Sequence, residues 1–205
     1  PHRVLQWEPV RALCFPGGSD DRGALQAARL INAMRSIEAR LRGLEARESI
    51  RECVQLYALA GDRKNDSRIM EQLFTADAVY ELAGMGHFEG RDAIVAGLAE
   101  IAKSAVLWSY HVPAGPLIQL SDTLESAKVF WWVWCPARTR NDDGTSTPCW
   151  GAVHYNGEMV EQNGAWKFRR LLLETRLRTP FEGPWTEIEG PFVWPEWALS
   201  LRSPK

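Results

Sequence analysis

Between Glu125 and Ala137 the sequence reads as one long strand with apolar side chains on both faces. Successive side chains of an extended chain point to opposite sides. Val129, Trp131, Val133 and Cys135 therefore share one face, and Phe130, Trp132 and Trp134 share the other. A sheet with one wet face alternates apolar with polar residues instead. This strand has to be covered twice, by helices on one side and by a second subunit or the terminal segments on the other. The expectation is a homodimer or larger homo-oligomer.

The neighbouring sequence supplies both the sheet and the helices. After Ser104, strands are predicted at Val106–Val112, Leu117–Leu120, Thr147–Gln162 and Ala165–Arg178. A bulge is expected at Asn156-Gly157, and Asn163-Gly164 is a strong hairpin signal. Upstream, an amphipathic pattern from about Ala24 to Leu44 can run on into a helix from Glu45 to Ala60 despite Gly43. This first helix lies ahead of the domain proper and can pack on its body or on a second subunit. A short helix follows at Ser67–Phe74, with Asn65, Asp66 or Ser67 as its N-cap. Thr75–Asp77 reads as a turn, Ala78–Leu82 as a strand, and His87–Gly90 as the end of a hairpin after the break at Gly84-Met85-Gly86. A third helix is expected at Asp92–Lys103. Helices, a strand pair, a helix and a run of antiparallel strands make an α+β fold. The organisation is 1–44 an irregular arm and amphipathic helix, 45–178 the domain, and 179–205 an arm rich in proline and aromatics.

At 205 residues, with a net charge of −2 and a pI of about 6.2, the chain fits one core. That charge argues against nucleic acid or an anionic membrane as partner. No apolar run reaches the roughly 18 residues of a membrane span and no signal peptide is evident. Four cysteines without CxxC spacing fit a reduced, cytoplasmic setting. The ten tryptophans suit a core, an oligomer interface or an aromatic ligand.

The segment Arg51–Asp62 combines structure with chemistry. Ile50, Cys53, Val54, Tyr57 and Ala58 form a buried stripe, so the Tyr57 hydroxyl needs an internal partner. Asp62, five residues on, lies roughly 140° round an ideal helix from Tyr57. Gly61 permits a left-handed C-cap that turns Asp62 back over the helix end. A buried phenol beside a carboxylate can donate, orient and abstract protons; the plain alternative is a core aromatic followed by a solvated turn.

Tyr57–Asp62, Leu73–Tyr80 and Phe88–Ile94, followed by Trp108-Ser109-Tyr110-His111 and Asn163–Phe168, resemble a SnoaL-like domain of the nuclear transport factor 2-like superfamily. The resemblance covers roughly Leu44–Arg178. It implies a cone in which a curved antiparallel sheet wraps around the N-terminal helices and leaves a deep apolar pocket. The branch it resembles contains scytalone dehydratase and bile-acid dehydratases, which do acid–base chemistry without a cofactor. Carried onto this sequence, the resemblance implies Tyr57, Asp62 and His111 as catalytic residues. The sequence departs from the branch at Pro113-Ala114-Gly115, and at His154-Tyr155-Asn156-Gly157 where Arg-Tyr-x-Asp is common.

A His–Asp pair in an apolar pocket can act as a base near neutral pH, with Tyr57 donating to a developing oxyanion or a leaving oxygen. Trp108, Tyr110, Trp131, Trp150, His154, Phe168 and Arg170 are the candidate substrate contacts. Arg170 shares strand parity with Trp166 and Phe168, although one bulge would shift that parity. A tryptophan on a sheet is also commonly core, and His154 can be a simple strand-face histidine. No GxGxxG, P-loop or HExxH is present, and the histidines lack metal-ligand spacing, so neither cofactor nor metal is expected.

The expected function is a cofactor-independent lyase on a bulky hydroxylated aromatic compound. It would act by dehydration or by retro-aldol-like loss of a small carbonyl such as formaldehyde; the resemblance implies a lignin-derived diaryl diol for the second form, since relatives in the superfamily act on such compounds. A double-bond isomerase with the same dyad and a non-catalytic binding or assembly module remain open.

Overall fold

The computed structural model describes residues 21–83 and 86–183, together with Pro195 and Trp197. The chain divides into two compact units, Pro1–Arg40 and Leu41–Lys205. In the first unit the described residues are helical. The expected irregular N-terminal arm, the break at Gly84-Met85 and most of the C-terminal arm lie outside the described residues.

The described elements are α1 (Asp21–Asp62), α2 (Ser67–Leu73), β1 (Phe74–Leu82), β2 (Gly86–Glu89), α3 (Arg91–Ser104), β3 (Val106–Ser109), β4 (Val112–Pro113), β5 (Leu117–Leu120), β6 (Ser126–Trp134), β7 (Ala137–Arg140), β8 (Ser146–Gln162) and β9 (Ala165–Pro180). The two predicted N-terminal helices are one continuous helix; a single Gly43 costs only about 1 kcal/mol against alanine in a helix. Thr75–Asp77 belongs to β1, where Thr75 is buried, and is not a turn.

All the described strands join one sheet with the main order β2-β1-β9-β8-β6-β4. β5 pairs with β6, and β7 bridges β8 and β3. The sheet is mixed, because β1 runs parallel to β9 while its other pairings are antiparallel. The length of chain between β1 and β9, which includes α3, permits a parallel neighbour, which no hairpin can supply.

The expected single strand from Glu125 to Ala137 breaks at Pro136. Proline has no N–H to give a ladder. Here the chain changes partners: Cys135 N–H donates to the Gly151 carbonyl and Tyr110 N–H to the Pro136 carbonyl. The predicted strand Val106–Val112 likewise divides, leaving Tyr110 and His111 between β3 and β4. Bulges fall at Ala152/Val153 and at Glu158/Met159, on either side of the expected Asn156-Gly157.

The core lies between the helices and one face of the sheet. Ala46, Ile50, Val54, Tyr57 and Ala60 bring one stripe of α1 inward, Met70 and Leu73 come from α2, and Ile94, Leu98 and Ala102 from α3. They meet Val129, Trp131, Val133, Tyr155, Met159, Phe168, Leu171 and Leu173 of the sheet. Phe168 is fully buried beside Tyr57, Phe74 and Trp131, so Phe168→Ala should cost about 3–5 kcal/mol. The opposite face of β6 is also covered: Phe130 is 1% exposed, and Trp132 and Trp134 are half-buried.

Candidate active site

The end of α1 positions the carboxylate. The helix does not stop at Gly61 as expected but carries on to Asp62, and the left-handed residues are Lys64 (φ 64°) and Asn65 (φ 55°). Their side chains secure the turn. The Lys64 ammonium donates to the Val106 carbonyl at 2.8 Å and to the Leu107 carbonyl. The Asn65 amide donates to the Leu98 carbonyl at 2.6 Å. The turn after Asp62 is thus tied to α3 and to the strand leading to His111. Of the three candidate N-caps of α2, Asp66 is the one that accepts, from Arg68 N–H.

Asp62 Oδ1 accepts two hydrogen bonds from His111, from the backbone N–H at 2.9 Å and from Nδ1–H at 2.7 Å. The carboxylate is an acceptor, so Nδ1 carries the proton and the neutral ring keeps its lone pair on Nε2. A carboxylate at the C-terminal end of a helix faces the negative end of the dipole, which costs about 0.3–1 kcal/mol. The two bonds from His111 offset that cost. Both side chains are about one-fifth exposed.

Gly61 makes room for this pairing. A Cβ there would lie 2.9 Å from His111 Cε1 and 3.1 Å from Nδ1. The glycine is required by close approach of the ring, not by a left-handed backbone.

His111 lines a cavity of about 180 Å³ together with Tyr57, Tyr80, Ser109, Cys135 and Tyr155. The floor is apolar, with Leu82, Ile101, Val153 and Leu173. Tyr57 and Tyr80 share a hydrogen bond between hydroxyls at 2.9 Å, the internal partner that Tyr57 required. Burial pushes the Tyr57 and Tyr155 phenols well above the ordinary range and also raises Tyr80. All three therefore remain protonated donors at neutral pH. Burial, then the nearby Asp62 charge, pushes the Cys135 thiol up to about 12. Two larger hollows of about 530 and 480 Å³ have neither a histidine nor a tyrosine in their walls. Among the described residues no group of three or more His, Cys, Asp or Glu is placed to hold a metal ion.

The structure brings Asp62, His111 and Tyr57 to one site, with Asp62 behind the imidazole and Tyr57 in the cavity wall. None of the seven candidate substrate contacts lines the cavity. Trp108 and Tyr110 are 54% and 56% exposed, because strand alternation turns them away from Ser109 and His111. Trp131 is core, stacked on Tyr155 with ring centroids 4.8 Å apart. Phe168 is core as well. His154 lies opposite Trp132 in the ladder and packs edge-on against it and Phe130, on the face away from Tyr155. Trp150 stacks on Trp134 and meets Phe181. Arg170 is exposed and pairs with Glu81 at 3.9 Å. The bulge at Arg169 is the reason: Phe168 and Leu171 both face inward, so Arg169 and Arg170 both face out.

Tyr80, Ser109 and Tyr155 were not among the candidates read from the sequence, and Gly61 was expected as a helix cap, not as the point of close approach to His111. Strand parity carried a signal for two of them, since Ser109 shares a side with His111 and Tyr155 lies opposite Trp131. Nothing local singled out Tyr80 or the close approach at Gly61.

Helices laid against one face of a mixed sheet, with a pocket opening beside the first helix end, define a small α+β pocket domain. The chain belongs to the SnoaL-like domain family, whose model matches residues 42–171. No curated protein matches the sequence. Among solved structures, LinA is similar with a TM-score of 0.64 at 16% identity, covering 75% of this chain and 99% of LinA. LinA-type3, a hexachlorocyclohexane dehydrochlorinase from Novosphingobium barchaimii LL02, gives 0.62 at 17%, covering 74% and 99%. A protein from Novosphingobium aromaticivorans provisionally called a scytalone dehydratase gives 0.59 at 21%, covering 74% and 98%. These likenesses establish the nuclear transport factor 2-like, or cystatin-like, fold. No described helix is long and apolar enough to cross a membrane.

Proposed function

We propose that the protein is a cofactor-independent lyase that uses the Asp62–His111 pair to break a bond in a hydroxylated aromatic compound. The observation that carries this reading is the double hydrogen bond from His111 to Asp62 Oδ1, which leaves Nε2 as the base beside a tyrosine-walled cavity. Both LinA-type3 and the Novosphingobium aromaticivorans protein bear names of eliminating enzymes, which supports the same class of reaction.

In a dehydration, Nε2 takes the proton from the carbon next to the hydroxyl-bearing carbon. The C–H electrons form the double bond, and the imidazolium returns the proton to the departing oxygen, which leaves as water. In the retro-aldol form, Nε2 takes the proton of a primary hydroxyl. The carbon–carbon bond breaks, formaldehyde leaves, and the imidazolium protonates the carbon that keeps the electron pair. In the dehydration the Tyr57–Tyr80 pair has one hydroxyl proton free to donate to the departing oxygen as charge develops on it. Their raised pKa values keep that proton in place. Asp62 holds the imidazole tautomer and stabilises the imidazolium.

The cavity size bears on the substrate. An apolar cavity of ~150 Å³ holds a benzene ring, so a space of about 180 Å³ suits one ring with its hydroxylated side chain. A diaryl diol would seat one ring inside and leave the other at the mouth.

The test is a mass-spectrometric screen of aromatic diols and phenolic alcohols incubated with the purified protein. Loss of water or of formaldehyde is the expected result. Conversion of an unsaturated substrate to a positional isomer of unchanged mass would favour the isomerase, and tight binding without conversion would favour a binding module.

A further inference from the structure

Five large apolar residues of α1 recur at alternating steps of four and three: Leu30, Met34, Ile37, Leu41 and Leu44. Each is more than half exposed. An alternating four–three repeat is the seam of a coiled coil, where each such residue inserts between residues of a facing helix. One step earlier the repeat takes in Ala27. Ala27, Met34 and Leu41 then occupy a positions, and Leu30, Ile37 and Leu44 occupy d positions. The far side of the same turns carries Arg29, Asn32, Arg35, Ser36 and Arg42.

This seam is distinct from the stripe that α1 buries in its own domain. The next a and d positions are Glu48 and Arg51, both exposed, so the repeat ends at Leu44. From Ala46 the buried residues are Ala46, Ile50, Val54, Tyr57, Ala58 and Ala60, at ordinary helical spacing. The Arg47 guanidinium, between the two patterns, donates to the Ile118 carbonyl at 2.7 Å. A helix that packed only on its own domain would need one apolar stripe; α1 carries two.

Charge selects the partner and its direction. In a parallel, in-register pair, a g residue faces the e residue five positions on in the other helix. Arg40 occupies g and Glu45 occupies e, so two copies of this helix place Arg40 against Glu45 twice by symmetry. An antiparallel pair would set g against g and e against e. Over the same seam that would set Arg40 against Ala33 and Glu38 against Ile31, which leaves both charges without an opposite partner. The seam spans roughly 27 Å at 1.5 Å per residue.

We propose that α1 joins copies of this chain through a parallel, in-register coiled coil over residues 27–44. Light scattering on the full chain should then give two or three times the 23.2 kDa chain mass. The double variant Leu30→Glu/Ile37→Glu should run at 23.2 kDa and keep the thermal transition of the domain. A monomeric natural chain overturns the proposal, and so does a variant that keeps the multiple mass. A second measurement reads the geometry without charge in the seam. Ile37→Cys should cross-link to itself under mild oxidation, whereas Ala39→Cys, at an outward f position, should not exceed the natural chain. Equal cross-linking at both positions, or none at 37, overturns the parallel register.

Discussion

The ring of His111 lies against the backbone of Gly61, so close that a β-carbon at position 61 would sit 2.9 Å from Cε1. The glycine is one residue from the carboxylate that holds the same ring. Gly61→Ala should therefore push the imidazole off its place while leaving the helix intact. Alanine favours helix by roughly 0.5–1 kcal/mol over glycine, so the melting temperature should not collapse. A displacement approaching 1 Å of a catalytic group can cost about 10²-fold in rate. The expected result is a loss of turnover of that order with an unchanged circular dichroism spectrum. Full activity would show that the ring position does not matter.

The two hydroxyls of Tyr57 and Tyr80 hold each other at 2.9 Å inside the cavity wall. Tyr57→Phe and Tyr80→Phe each remove one end of that bond, which should cost about 0.5–1.5 kcal/mol of stability. If one hydroxyl serves the developing oxyanion, each variant should also lose roughly 10–10³-fold in kcat. Steady-state rates beside urea titrations separate the two effects. Lost stability with normal kcat would make the pair structural.

Burial pushes the Cys53 and Cys135 thiols up to about 11 and about 12 from an ordinary value of 9.0. Their folded-state values exceed the unfolded ones, so the stabilising effect is complete below pH 9 and is lost as pH rises toward 11 and 12. The urea midpoint should fall between pH 8 and pH 10.5, and Cys135→Ala should flatten part of that fall. Both thiols should also alkylate slowly at pH 8 in the native protein.

His154 behaves in the opposite direction. Burial, and then Arg176, lower its pKa from 6.5 to about 4. The folded state keeps this ring neutral while the unfolded chain takes up a proton below pH 6.5. Stability should be complete above that value and decline as pH falls toward 4. A thermal series from pH 7 to pH 4 on the natural chain and on His154→Phe should show a shallower decline in the variant.

Much of the fold was legible in the sequence because its signals are local. The strand alternation from Ser126 to Trp134, the Asn163-Gly164 hairpin and the α3 pattern each occupy one continuous stretch. The parallel pairing of β1 with β9 was not legible, since it joins residues such as Phe74 and Phe168 from opposite ends of the domain. At the site, Asp62 was legible just past a buried helix stripe, and His111 only through the resemblance to a SnoaL-like domain. The pocket wall was not. Large aromatics drew attention, yet Trp131 and Phe168 serve the core, and Trp108 and Tyr110 point away by one step of alternation. A bulge at Arg169 turned Arg170 outward. Tyr80 and Tyr155 look in sequence like ordinary strand aromatics, and only the packed structure shows that they border a cavity.

In the proposed reaction His111 is the base, with Asp62 behind it. The most direct measurement is the turnover of a converted aromatic substrate by Asp62→Asn and His111→Ala, each first shown to fold by circular dichroism. Each variant should lose at least ~10²-fold in kcat, the scale of general base catalysis. Turnover close to that of the natural protein in either folded variant would contradict the account.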